Sequence, residues 1–128
     1  MATNNRVFTS FAIEDANLRT LLVGQARNES SPFSFVDMSV KEPWDSAWKT
    51  KCRTKIKGCD GVIGIITNNT PTASGQIWEL DCAVQEGVPV FLVYGNADRP
   101  SNLPASIKGK RIYLWSWANI ETFLESVG

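Results

Sequence analysis

The pattern of apolar and polar residues has two periodicities, which alternate from one end of the chain to the other. Short β-rich apolar runs are each followed by a segment in which apolar residues recur every three or four positions, as in amphipathic helices. The runs predict five strands, at residues 6–11, 33–39, 61–67, 88–95 and 111–115. Strands that alternate with helices predict right-handed crossovers and a parallel sheet with helices on both faces.

The first two helical segments differ in character. In residues 13–28 the spacing predicts one apolar face, and acidic residues Glu14 and Asp15 occupy the expected helix start. The residues of that face are Leu18, Leu21, Leu22 and Ala26. Pro43 suits the first turn of the second helix, where apolar side chains recur near period four. These are Trp44, Trp48, Cys52, Ile56 and Cys59. Lysine and arginine fill the other faces, which favours a solvated helix face over a nucleic-acid contact.

The order of elements predicts an α/β, flavodoxin-like three-layer fold. Its five-stranded parallel sheet has the order 2-1-3-4-5, and the 128 residues suit one domain, 1–128. Ligands bind such sheets beyond the C-terminal ends of the strands, at the switch point between strands 1 and 3. Several residues end or follow strands at this edge: Ser10, Phe11, Asp37, Ser39, Thr67, Asn68 and Asn69.

The composition of the chain argues against several classes of function. Thirteen basic and thirteen acidic side chains cancel, so no overall field attracts nucleic acid or an anionic membrane. The apolar runs are too short to span a bilayer and the first residues lack a signal-peptide pattern, so we expect a cytoplasmic protein. The chain has no histidine and three cysteines, which argues against a zinc site, a disulfide framework and every histidine-based nucleophile. We expect the cysteines to be small buried apolar residues.

The loop after the first strand lacks the usual phosphate-binding motifs. FTSFAIED, at residues 8–15, has neither a G-x-G-x-x-G pattern nor a Walker A sequence. A dinucleotide-binding Rossmann domain and a P-loop NTPase are therefore disfavoured. A phosphoacceptor role is also disfavoured, because Thr67 stands where strand 3 would need an aspartate.

The dipeptide Trp78-Glu79, near the start of the helix after strand 3, allows two interpretations. A carboxylate in a first helical turn interacts favourably with the helix dipole. The same carboxylate, beside the switch point, is also placed to do chemistry in a chain that has no histidine. Trp78 has the corresponding alternatives of core packing and lining a ligand site. Asp15 is interpreted chiefly as a helix-start residue.

Four segments resemble successive boxes of a known family. They are RVFTSFAIED, FSFVDMSVKEPWD, KCRTKIKGCDGVIGIIT and GQIWELDCAVQEGVPV. Together they are similar to the bacterial and archaeal TIR-like domains of the MTH538 type, grouped with the Thoeris ThsB proteins. The likeness extends from about Arg6 to Val127. Many ThsB members carry W-V-x-W-E, whereas this chain has G-Q-I-W-E, with Gly75 in place of the first tryptophan.

The resemblance implies a TIR fold and an activity. It implies that Glu79 cleaves the nicotinamide glycosidic bond of NAD+, which is a substrate and not a bound cofactor. The product would be an ADP-ribose-derived antiphage signal that an effector protein recognises. The expected substrate-binding residues are Ser10, Phe11, Asp37, Ser39, Asn68 and Trp78. For Ser10 the alternative is a cap or turn role, which is equally common for a serine at a strand end. No metal is expected, and self-association is open. Two alternatives remain: a non-catalytic TIR-like module that assembles with itself or a partner, and a domain that senses an ADP-ribose product.

Overall fold

The computed structural model describes residues 5–128. The strands are β1 (Arg6–Ser10), β2 (Ser34–Val36), β3 (Gly61–Ile66), β4 (Val90–Tyr94) and β5 (Ile112–Tyr113). The helices are α1 (Ala16–Asn28), α2 (Ser46–Lys57), α3 (Ser74–Gln85) and α4 (Trp117–Val127), with short 3₁₀ turns at Ile13–Asp15 and Thr70–Thr72. Within residues 5–128, no helix has both the length and the apolar character needed to cross a bilayer.

The sheet has the predicted topology. Its strand order is β2-β1-β3-β4-β5 and every neighbouring pair is parallel. β3 is central and buried along its whole length, which is why its sequence is almost continuously apolar. The predicted flavodoxin-like order 2-1-3-4-5 is confirmed.

Two apolar layers pack against opposite faces of the sheet. Side chains alternate along β3, so that Val62 and Ile66 join the cluster under α2 and α3, whereas Ile63 and Ile65 join the cluster under α1 and α4. The three cysteines are buried and unpaired, as predicted. Burial raises the pKa of each cysteine thiol, to about 11 at Cys59, so these thiols behave as small apolar groups.

Two details of the predicted helices are wrong. Leu21 is 62% exposed, because it lies about 100° around the helix from Leu22, its buried neighbour. The second helix begins at Ser46 and not near Pro43, since Asp45 is its N-cap and accepts hydrogen bonds from the N–H groups of the first turn. Trp44 therefore precedes the helix and is 72% exposed.

Two predicted strands are shortened at the edges of the sheet. β2 keeps three residues and β5 keeps two, because each pairs with a single neighbour. Asp37 and Ser39 consequently lie beyond β2, in an irregular segment that we call the 37–45 segment. This segment joins β2 to α2.

Candidate functional site

Glu79 lies in the second turn of α3, with its side chain fully buried. Ser10 Oγ, from the end of β1, donates a hydrogen bond of 2.9 Å to Oε1 of Glu79. Lys41 Nζ donates one of 2.7 Å to Oε2. The helix-dipole interpretation of Glu79 is wrong, because α3 begins at Ser74 and the dipole acts mainly within the first turn. The carboxylate is instead a buried acceptor at the C-terminal edge of the sheet.

Lys41 reaches this carboxylate from the 37–45 segment by passing over a glycine. Gly75 and Glu79 lie four residues apart, on one face of α3. A Cβ atom on Gly75 would stand 2.7 Å from Cβ of Lys41 and 3.1 Å from its Cγ. Only glycine leaves room for the lysine stem at this point. Lys41 is not among the site residues predicted from the sequence, where the glycine one turn before Glu79 was its only signal.

Phe11 forms an aromatic wall beside the pair. The ring is fully buried, and Lys41 Nζ lies 4.0 Å from its centroid. The Arg19 guanidinium lies 5.3 Å from the same centroid and forms a 2.9 Å ion pair with Asp37. The negative face of an aromatic ring attracts cations. Phe11 and Glu79 together therefore form an environment suited to a positive charge.

Burial dominates the protonation of Glu79. Loss of hydration raises the pKa of its carboxyl to about 7, against the opposing effects of the Lys41 charge and of hydrogen bonds from Lys41 and Ser10. The Asp37 charge raises the pKa further. The carboxyl can therefore exist in either protonation state near neutral pH, as acid–base groups in active sites often do.

Gln76 fastens the site to the sheet. Its side-chain amide nitrogen donates to the Ser10 carbonyl at 3.1 Å and to the Ile65 carbonyl at 2.7 Å. These two bonds tie α3 to the ends of both β1 and β3, the two strands at the switch point. Gln76 is fully buried, and its hydrogen bonds fix the position of Ser10 relative to Glu79.

The structure brings some of the predicted site residues together and separates others. Ser10 and Phe11 contact the Lys41–Glu79 pair, and Asp37 lies next to it through Arg19. Ser39 and Asn68 are exposed. The Trp78 ring packs edge-to-face on Trp48, at 5.4 Å between centroids, below the Arg53 guanidinium.

Trp78 therefore lies between α2 and α3, on a different side of α3 from Glu79. Among residues 5–128, no group of three or more histidine, cysteine or acidic side chains is arranged to hold a metal ion.

Asp15 stands at the predicted helix start and has a second role, in the loop after β3. It does occupy the N-cap position of α1, but its carboxylate accepts hydrogen bonds from Thr67 Oγ1 at 2.5 Å and from Asn69 Nδ2 at 2.9 Å. Asp15 is nearly buried, at 6% exposure. It thus fixes the loop between β3 and α3, which carries Asn68 and leads to Glu79.

Replacing Asp15 with alanine should destabilise the fold. The change leaves two donors, on Thr67 and Asn69, without their acceptor, and an unsatisfied buried group costs about 1 to 3 kcal/mol. We expect a loss of about 2 to 3 kcal/mol in the free energy of unfolding, measured by urea denaturation. Glu14→Ala, at the exposed neighbouring position, is the matched control. Equal stabilities for the two variants would contradict a role for Asp15 in holding the loop.

Comparison with solved structures identifies the fold. The chain superposes on the crystal structure of the TIR domain of the Toll-related receptor TRR-2 from Hydra magnipapillata with a TM-score of 0.71, over 93% of this chain and 97% of that one. This protein has the TIR fold. The two sequences are 12% identical, so the likeness is one of fold alone. No family model and no curated protein sequence matches the chain.

Within this TIR fold, the candidate site lies where α/β sheets of this order bind ligands. Ser10 ends β1, Thr67 follows β3, and Glu79 stands on the helix that comes next. The resemblance suggested by the sequence motifs and the superposition agree on the TIR fold.

Proposed function

We propose that the protein cleaves the bond between nicotinamide and ribose in NAD+. The observation that carries this proposal is the buried Glu79 carboxylate, which accepts a hydrogen bond from Ser10 and contacts the same Lys41 ammonium as the face of Phe11. An anion and an aromatic face suit a pyridinium ring attached to a ribose. With Lys41 moved aside, these two groups match the positive charge of the substrate.

The chemistry requires a carboxylate but no histidine. When the bond between C1′ and the nicotinamide nitrogen breaks, its electron pair leaves with neutral nicotinamide, and positive charge develops on the ribose. An ionised Glu79 stabilises that charge in a site of low dielectric. Water then adds to C1′ and releases a proton, which gives ADP-ribose. Attack by a nucleophile within the substrate gives a cyclic product instead.

Roles for the remaining candidates follow from their positions. Ser10 orients the Glu79 carboxylate and, with the site open, binds a ribose hydroxyl. Phe11 stacks on the nicotinamide ring. Asp37, Ser39 and Asn68 follow strand ends at the same edge of the sheet, where the rest of the dinucleotide would lie. Trp78 packs against Trp48 between α2 and α3 and does not contact the substrate.

The biological setting belongs to the same proposal. A signal derived from ADP-ribose, released in the cytoplasm during phage infection and bound by an effector protein, is the role that the ThsB resemblance suggests. Self-association of the domain would provide the trigger.

The test is NAD+ turnover by concentrated purified protein, with and without lysate from phage-infected cells, with products resolved by mass spectrometry. We expect nicotinamide and an equal amount of ADP-ribose or of a cyclic isomer. Absence of nicotinamide under both conditions, from protein that is folded, would contradict the proposal. It would favour a TIR-like module that acts only by assembly.

A further inference from the structure

A lysine ammonium occupies the place in this site that suits a cation. Lys41 Nζ lies 2.7 Å from the Glu79 carboxylate and 4.0 Å from the centroid of Phe11. The Lys41 side chain is 6% exposed and that of Glu79 is fully buried. A carboxylate and an aromatic face are the two groups that would attract a pyridinium ring. The closed site therefore already holds a positive charge from its own chain.

We propose that Lys41 is an intramolecular plug that takes the place of the substrate's cationic ring, and that the site opens when the 37–45 segment lifts Lys41 off Gly75. This inference rests on the proposed function for the identity of the substrate. It adds that the closed state is autoinhibited and that the ligand displacing the plug is an organic cation.

Gly75 leaves the space through which the Lys41 side chain reaches Glu79. An added Cβ would lie 2.7 to 3.2 Å from three successive carbons of the Lys41 stem, so no other residue admits this path without moving the lysine. Glycine inside a helix costs about 1 kcal/mol relative to alanine. Position 75, in the first turn of α3, thus carries a residue that disfavours the helix and favours the closed lysine.

The 37–45 segment has room to move. A cleft of about 400 Å³ lies between the segment and α2, lined in part by Ser39, Val40 and Lys51. Bonds from α2 hold the segment at two carbonyls: Trp48 Nε1 donates to Val40 at 2.6 Å, and Lys55 Nζ donates to Asp37 at 3.1 Å. Val40 itself is 60% exposed. Asp37 is also held by its ion pair with Arg19, and Met38 is buried in the core under α2 and α3. Lifting Lys41 therefore involves residues 39–42, and it breaks the Trp48–Val40 hydrogen bond in addition to the plug.

The energetics of a buried ion pair suit a switch. Removing both charges from water costs several kcal/mol for each ion, and their attraction repays this cost only in part. The net preference for the closed state is therefore small compared with the strength of the contact itself. A ligand or an assembly partner that favours the lifted segment needs only modest differential affinity to shift the population.

Two variants test the plug from different elements. Lys41→Ala removes the ammonium, and Gly75→Ala keeps it but blocks its path. We expect both to bind 1-methylnicotinamide, a small pyridinium cation, at least tenfold more tightly than the wild type in isothermal titration at pH 8.5, above the wild-type Glu79 pKa of about 7. The titrations are repeated at pH 9.5, because loss of the Lys41 ammonium raises that pKa further. Lys110→Ala and Gly24→Ala are the matched controls, since Lys110 is exposed and a Cβ on Gly24 meets no atom within 4 Å.

The outcomes separate this inference from the proposed function. Tighter binding in both variants, with wild-type affinity in both controls, supports the plug whether or not NAD+ is cleaved. Equal affinity in the wild type and both folded variants overturns it, even if NAD+ is cleaved. Cleavage of NAD+ by any of these proteins bears on the proposed function alone.

A measurement on the wild type covers the case in which a variant does not fold. With lysine labelled at Cε, saturating 1-methylnicotinamide should move the Lys41 resonance to the position of a solvated lysine. Lys41→Arg, which keeps the charge, assigns the signal by its loss. Binding of the cation with no change in the Lys41 resonance would overturn the plug.

Discussion

Replacing Glu79 with glutamine should reduce nicotinamide release from NAD+ by at least about 100-fold, the loss typical when a preorganised group that stabilises transition-state charge is removed. Glutamine keeps the shape of the side chain and still accepts a hydrogen bond from Ser10 Oγ. It carries no negative charge, however, so the developing positive charge on the ribose loses its stabilisation. The loss should fall mainly on kcat, because the charge on the ribose arises only in the transition state, with a smaller rise in KM because Glu79 also attracts the pyridinium ring of the substrate.

The measurement compares kcat and KM for nicotinamide release at pH 8, with product masses recorded for each protein. Glu121→Gln is the matched control, since Glu121 is an exposed glutamate of α4 on the opposite face of the sheet. Circular dichroism establishes that the variants are folded. Wild-type turnover by folded Glu79→Gln would place the chemistry elsewhere in the chain.

The sheet was predictable because its strands are short apolar runs with the period of buried β structure. β3 shows this most clearly, since its six residues are all buried and its sequence has no polar position to confuse with a helix. The burial of the cysteines followed from their spacing and from the absence of histidine. The boundaries of α2 were harder, because Asp45 caps the helix where Pro43 also offered a plausible start.

The composition of the site was only partly predictable, for geometric reasons. Neighbouring residues on a helix point about 100° apart, so Trp78 and Glu79 could not both face one cleft, although they stand together in the sequence. Lys41 was missed because the 37–45 segment has no periodicity and its side chain follows a path set by a glycine on another element. Distant pairs of this kind need the tertiary structure.

The stability of the protein should depend on pH through Glu79. The folded-state pKa of about 7 lies above the ordinary value of 4.5, so the folded state holds this proton more tightly than the unfolded chain does. The contribution is therefore complete below pH 4.5, where both states are protonated, and it is lost as pH rises through 7. One pKa unit corresponds to about 1.36 kcal/mol. The free energy of unfolding should thus fall by about 3 kcal/mol across this window.

Subtracting Glu79→Gln isolates this effect from the titration of the other carboxyl groups. Glutamine resembles the protonated carboxyl and does not titrate, so the difference in unfolding free energy, wild type minus variant, should decline between pH 4.5 and pH 8. Urea denaturation at closely spaced pH values measures it. A difference that does not change with pH would mean that Glu79 titrates alike in the folded and unfolded states.

Replacing Lys41 provides a second test of this pH dependence. Its charge is the largest influence that lowers the pKa of Glu79, followed by its hydrogen bond, whereas burial and the Asp37 charge raise that pKa. In Lys41→Met the stem still fills the space over Gly75, but the ammonium is gone. The pKa of Glu79 should then rise further and the loss of stability should extend above pH 7. The same window in both proteins would show that the ion pair does not hold the charge on Glu79.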